Sequence, residues 1–97
     1  MENEIWKPIE GYEGLYEVSN LGNVKSLNKR HKGNLLKPQR SHNGYLRVYL
    51  CKDNERKVKR IHRLVAEAFL LNQNNYEQIN HKDGDKENNS ISNLEWC

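Results

Sequence analysis

The chain has 97 residues, 16 Lys or Arg against 13 Asp or Glu, and a mean hydropathy of −1.06. That length gives one small domain, or a domain with an appended module, around a thin core, and no segment approaches the roughly 20 apolar residues that span a bilayer. The net charge of +3 is uneven: residues 1–24 carry −4, residues 25–63 carry +11 and residues 64–97 carry −4, so a strongly basic block sits mid-chain, where Asn and aromatic residues interleave with it and favour a nucleic-acid partner over a merely solvated surface.

The N-terminus, "MENEIWKPIE", is acidic and lacks the apolar stretch of a secretory signal. Cys51 and Cys97 form no CxxC pair, so they are expected as free thiols in a reducing cytoplasm, and no zinc knuckle or disulfide framework is expected. Within "IWKPIEGYEGLYEVSNLGNVKSL", the segment "EVSNLGNVKSL" reads as strand, Asn/Gly turn and strand. Its apolar residues suffice for a small sheet that packs on something larger. "NKRHKGN" reads as an exposed basic loop, and "LLKPQ" as a short strand. Asn43-Gly44 then opens a hairpin in which Leu46, Val48 and Leu50 share one face and Tyr45, Arg47 and Tyr49 the other, with a turn at "KDNE". The outward face suits a phosphate backbone or a plain polar sheet surface equally. Ile61, Leu64, Val65, Ala68 and Phe69 follow at helical spacing, so a central helix is expected near residues 59–71, with His62 as a hydrogen-bonded residue at the boundary of the apolar stripe.

"YEQIN" reads as a strand into His81, "KDGDKENNSIS" as a long polar loop, and "NLEWC" as the returning strand. That arrangement brings His81 and Asn93 together at the loop end of the hairpin. A histidine there titrates near neutral pH and suits a general base. Two other chemistries fail on residue type. Asp83, Asp85 and Glu87 begin like a calcium loop, but Asn88 stands where glycine is needed and Leu94 where a closing carboxylate is needed. A structural zinc site lacks ligands. An Asn-rich loop with Asx-turns and no chemistry accounts for the composition equally well.

"INHKDGDKENNSISNLEW" resembles the core of the HNH endonucleases of the phage and intron homing type, and "IWKPIEGYEGLYEVSNLGNVKSL" resembles the nuclease-associated modular (NUMOD-type) domain that precedes it. "GYLRVYLCKDNERKVKRIHRLVAEAF" resembles the hairpin and helix that join the two. The resemblance implies an α+β fold of small antiparallel sheets around one central helix, with residues 1–40 as the modular domain and residues 41–97 as a ββα-metal core. It implies hydrolysis of phosphodiester bonds in double-stranded DNA. His81 matches the general base, Asn93 the central asparagine that holds loop and base in register, and Asn80 a ligand of a divalent metal, Mg²⁺ with Mn²⁺ as the alternative. Asp83, Gly84 and Asn89 match positions that set turn geometry. The basic block supplies the DNA contacts implied: Lys29, Arg30, Lys32, Arg40, Arg47, Lys57, Lys59, Arg60 and Arg63.

In the family the "NLEW" strand runs on into a helix that carries a second metal ligand, and this sequence stops at Cys97. The core is therefore expected as ββ without its final helix, and Trp96 as either exposed or covered by another chain. Three functions follow: an endonuclease of a phage or prophage acting in the bacterial cytoplasm, a catalytically incomplete DNA-binding fragment of one, or a chain that self-associates through the unfinished edge. No membrane partner is expected.

Overall fold

The computed structural model describes residues 3–27 and 34–97. Among these, nine short strands form three antiparallel sheets around one helix. The first sheet has the order β1 (Trp6–Pro8), β2 (Tyr16–Ser19), β3 (Val24–Ser26) and β4 (Asn34–Leu35). The second comprises β5 (Gln39–Arg40), β6 (Leu46–Lys52) and β7 (Glu55–Arg60), and the third pairs β8 (Ile79–His81) with β9 (Leu94–Trp96). Helix α1, Ile61–Phe69, follows β7 directly, and a 3-10 turn, Ile91–Asn93, precedes β9. The stretch read as one strand, "LLKPQ", is divided between β4 and β5; Pro38, which has no N–H to give a ladder, lies in the break. The basic loop read at "NKRHKGN" falls mostly outside the described residues, and Lys29, Arg30 and Lys32 with it.

Side-chain alternation decides the second sheet. Val48 and Leu50 are buried and Leu46 half-buried, on the face turned to the helix. Asp53 and Asn54, at φ 53° and 62°, make the two-residue turn between β6 and β7. Asx side chains tolerate that left-handed backbone better than most, and the paired conformation matches the strand twist.

Helix α1 is buried on more than the expected stripe. Ile61, Leu64 and Val65 enter the core, and His62 and Ala66, one turn apart, face the β8–β9 side. The core joins Ile9, Tyr12, Val18 and Val24 from the first part of the chain to Val48, Leu50, Ile61, Leu64, Val65 and Leu94. Each large apolar side chain removed from water there contributes about 1.5–3 kcal/mol. The first sheet thus borrows its stability from the rest. Polar ties reinforce the join: the Cys51 amide donates to the Tyr16 hydroxyl at 3.0 Å, and Lys52 Nζ to the Gly11 carbonyl at 2.7 Å.

Trp96 is neither exposed nor free. Its ring is half-buried, Nε1 donates to the Leu70 carbonyl at the end of α1 at 3.2 Å, and the Arg63 guanidinium lies 5.7 Å from the ring centroid. The indole finds its packing surface on α1, which overturns the expectation that Trp96 needs another helix or chain to cover it. Cys51 and Cys97 are free and exposed. No helix among the described residues is long and apolar enough to cross a membrane.

Candidate active site

The β8–β9 hairpin pairs Ile79 with Trp96, Asn80 with Glu95 and His81 with Leu94. Its connecting loop is held chiefly by two side chains, Asn93 and Asp83. Asn93 Oδ1 accepts from the Asp83 amide at 3.1 Å, and Asn93 Nδ2 donates to Asp83 Oδ1 and to the Asn88 carbonyl, each at 2.9 Å. The Asn93 carbonyl also accepts from the Lys82 amide at 2.8 Å. Asp83 is the other hub: it accepts from Asn88 Nδ2 and the Asp85 amide at 2.9 and 2.8 Å. The Asn88 hydrogen bond, then those from Asp85 and Asn93, hold its carboxyl below the usual range. Asp83 is committed inside the loop as a turn-former.

His81 is buried, and its ring is enclosed by three side chains from three segments. Tyr45 and His62 place their ring centroids 5.9 and 5.1 Å from that of His81, and each other's at 5.0 Å. Asn89 Oδ1 lies 2.8 Å from His81 Nε2. Two readings change here. Tyr45 shares strand parity with Arg47 and Tyr49, and its half-buried ring packs against both histidines instead of lying on an open sheet surface. His62 is not a hydrogen-bonded boundary residue: it is 5 % exposed and its Nδ1 has no partner among the described residues. Burial, then the neighbouring His81, Arg60 and Arg63, lowers its pKa from 6.5 to about 4. At neutral pH His62 is a flat, uncharged platform beside His81.

Asn80 is exposed on the opposite side of β8, and its Nδ2 donates to Glu95 Oε1 at 2.8 Å. This leaves the Asn80 carbonyl oxygen and the second Glu95 oxygen without hydrogen bonds among the described residues. A hard cation takes such oxygens, one neutral and one charged, provided water and phosphate complete its shell. The pair therefore suits at most a weakly held hard divalent ion, and no cluster of three or more His, Cys, Asp and Glu converges among the described residues.

The basic residues divide by strand face. Cross-strand partners Arg47 with Arg60, Tyr49 with Val58 and Cys51 with Arg56 share the face turned from the core. There the Arg56 guanidinium stands 4.5 Å from the Tyr49 ring centroid and that of Arg60 5.3 Å from Tyr45, with Lys86 Nζ 4.8 Å from the same Tyr45 ring. This face runs from β7 to the His81 pocket. Arg40, Lys57 and Lys59 lie on the other parity. Arg40 pairs with Glu87, Lys57 with Glu55 at 3.7 Å, and Arg63 with Glu67 at 3.8 Å. Sequence reading missed Arg56, Lys86, Glu95 and the contact of Asn89 with His81. Strand parity could have found Arg56, and the 80–95 pairing needed only the hairpin register. Nothing local marks Asn89.

The chain thus sets a histidine in a two-stranded hairpin, next to a basic and aromatic sheet face. Residues 59–97 match the HNH endonuclease family model and residues 4–51 the NUMOD4 motif model. The chain is 44 % identical over 91 residues to the DNA endonuclease I-HmuI of Bacillus phage SP01, covering 94 % of this chain and 51 % of that protein. An uncharacterized HNH endonuclease, L247, of Acanthamoeba polyphaga mimivirus is 46 % identical over 100 residues, covering 98 % of this chain and 24 % of the viral protein. A solved structure concerned with DNA binding and cleavage by the HNH homing endonuclease I-HmuI superposes with a TM-score of 0.85 at 43 % identity, over all of this chain and 52 % of that one. Residues 59–97 thus carry an HNH endonuclease segment, with a NUMOD4 motif ahead of it at residues 4–51. It spans about half the length of the phage relative and about a quarter of the viral one. HNH endonucleases generally use a divalent metal.

Proposed function

We propose that this chain hydrolyses phosphodiester bonds of double-stranded DNA, with His81 as the general base. The observation that carries the reading is the His81 pocket: a buried imidazole, hydrogen-bonded at Nε2, at the end of a sheet face that presents Arg47, Arg56 and Arg60. In this reading residues 1–40 serve as the modular unit and residues 41–97 as the HNH core, acting in the cytoplasm of a phage-bearing host.

The chemistry is an in-line displacement. His81 Nδ1 takes a proton from water, the oxygen attacks phosphorus, and the bond from phosphorus to the 3′-oxygen breaks. The 3′-oxygen leaves with a proton from solvent, so the products are a 3′-hydroxyl and a 5′-phosphate. His62, uncharged at neutral pH, places no second imidazolium beside the base. Asn93 keeps the loop, and hence His81, in register. Arg47, Arg56, Arg60 and Lys86 hold the backbone, as cations next to flat aromatic rings do. A divalent ion, Mg²⁺ by preference, would be held by the free oxygens of Asn80 and Glu95 and would supply Lewis-acid charge stabilisation when bound.

An end-labelled duplex tests the reading. With Mg²⁺ the purified chain is expected to give fragments whose 3′ ends a polymerase extends, and His81→Ala is expected to give none while its DNA affinity stays within about twofold. Equal cleavage by the two proteins would remove His81 from the role of base.

A further inference from the structure

Asn89 reads in the sequence as one more turn residue, yet it is 4 % exposed and its one side-chain hydrogen bond among the described residues is to the base. A primary amide has an oxygen that only accepts and a nitrogen that only donates. The oxygen is the atom placed 2.8 Å from His81 Nε2, and the buried Nδ2 has no partner among the described residues. An accepting oxygen at that distance requires the imidazole proton on Nε2, which leaves the Nδ1 lone pair to face outward.

What fixes Asn89 lies in the first sheet. The turn from Ser19 to Asn23 is itself rigid: the Ser19 side chain, fully buried, accepts from the Leu21 and Asn23 amides at 3.2 and 3.1 Å. Its Gly22, at φ +92°, lies flat on Asn89, so that a Cβ at position 22 would meet Asn89 Cβ at 3.0 Å and the Asn89 carbonyl at 3.1 Å. One residue before the turn's apex region, the Asn20 carbonyl accepts from the Ile91 amide at 2.7 Å, and so the backbone on the far side of Asn89 is tied to the same turn. Asn89 is held between these two contacts.

We propose that Asn89, clamped by the Ser19–Asn23 turn of the NUMOD4 segment, is a positioning residue that holds His81 with its proton on Nε2 and its Nδ1 open to water. The inference rests on the reading of His81 as base, and it gives the first sheet a task in the site beyond packing: it sets the side chain that sets the base.

The test is ¹⁵N NMR of the histidine rings in the free chain at neutral pH, without metal or DNA. The wild type is expected to show His81 as the Nε2–H form with a slowly exchanging Nε2–H resonance. Asn89→Asp, whose carboxylate also accepts, is expected to keep that resonance; Asn89→Ala is expected to lose it. Gly22→Ala is expected to lose it too, with the remaining backbone spectrum folded, because the added methyl displaces Asn89. If Gly22→Ala yields no folded chain, Ser19→Ala, which frees two turn amides, takes its place with the same expectation. An Nδ1–H form in the wild type, or a resonance indifferent to Asn89→Ala, would overturn the proposal. A resonance unmoved by the turn variant would overturn the clamp. The spectrum is read without cleavage, so a chain with the expected tautomer that fails to cut DNA would count against the hydrolytic reading alone.

Discussion

Protonating His62 should unfold this protein more readily, and replacing it should remove that sensitivity. The ring is 5 % exposed, and among the described residues Nδ1 has no partner and the neighbours that face the ring are Tyr45, His81, Arg60 and Arg63. Its pKa falls from 6.5 to about 4 on folding. A depressed folded value means that the unfolded chain binds the proton first. The stabilising contribution is therefore complete above pH 6.5, is lost as pH falls through that window, and is gone below about 4. Between pH 7.5 and pH 4.5 the loss from this one site is about 2–3 kcal/mol, a large part of the stability of a small domain. Urea unfolding at those two pH values, for the wild type and for His62→Phe, measures it. The ring of phenylalanine keeps the stack on Tyr45 without a titrating group, so the variant should lose about 2–3 kcal/mol less than the wild type on acidification. Parallel losses in the two proteins would refute the reasoning, because the acid sensitivity would then come from other groups.

Two further outcomes follow from the same geometry. Asn93→Ala removes three side-chain hydrogen bonds that close the loop; it should cost about 2–3 kcal/mol in chemical denaturation, and a loss under about 0.5 kcal/mol would show that the loop closes without it. On duplex DNA, Arg56→Ala and Arg60→Ala should each flatten the dependence of log affinity on log salt by about 0.9, measured by fluorescence anisotropy, while Arg40→Ala, already paired with Glu87, should leave it unchanged. Equal effects from all three would dissolve the distinction between the two sheet faces.

The sequence carried the parts of this fold that repeat along the chain. The 3.6-residue spacing of Ile61, Leu64 and Val65 located α1, and the alternation Leu46, Val48, Leu50 gave the inner face of β6. The pattern also placed His81 and Asn93 at one end of a hairpin, since both lie beside the loop between β8 and β9. What it did not carry is contact across long sequence separation. Asn89 meets Gly22, Trp96 meets Leu70, and Tyr45 meets both His62 and His81. None of these pairs leaves a local trace. His62 was misread for a related reason: an α-helix that is enclosed by three sheets is buried beyond its main stripe, and a single stripe shows only the strongest of its faces. The charge count had the opposite fault. It grouped all the cations of residues 25–63 into one block, whereas strand parity sends Arg56 and Arg60 to one face and Arg40 and Lys57 to the other, where acids already hold them.

The central claim is that His81 is the base of a metal-assisted phosphodiester hydrolysis. The most direct measurement is conversion of supercoiled plasmid to nicked or linear form by the purified chain, with Mg²⁺ or Mn²⁺ and with EDTA, beside His81→Ala. The account predicts conversion by the wild type with either metal, none with EDTA, and none by His81→Ala despite retained DNA binding. Conversion that persists in His81→Ala, or a wild type that binds DNA with metal present and leaves the plasmid supercoiled, would contradict it.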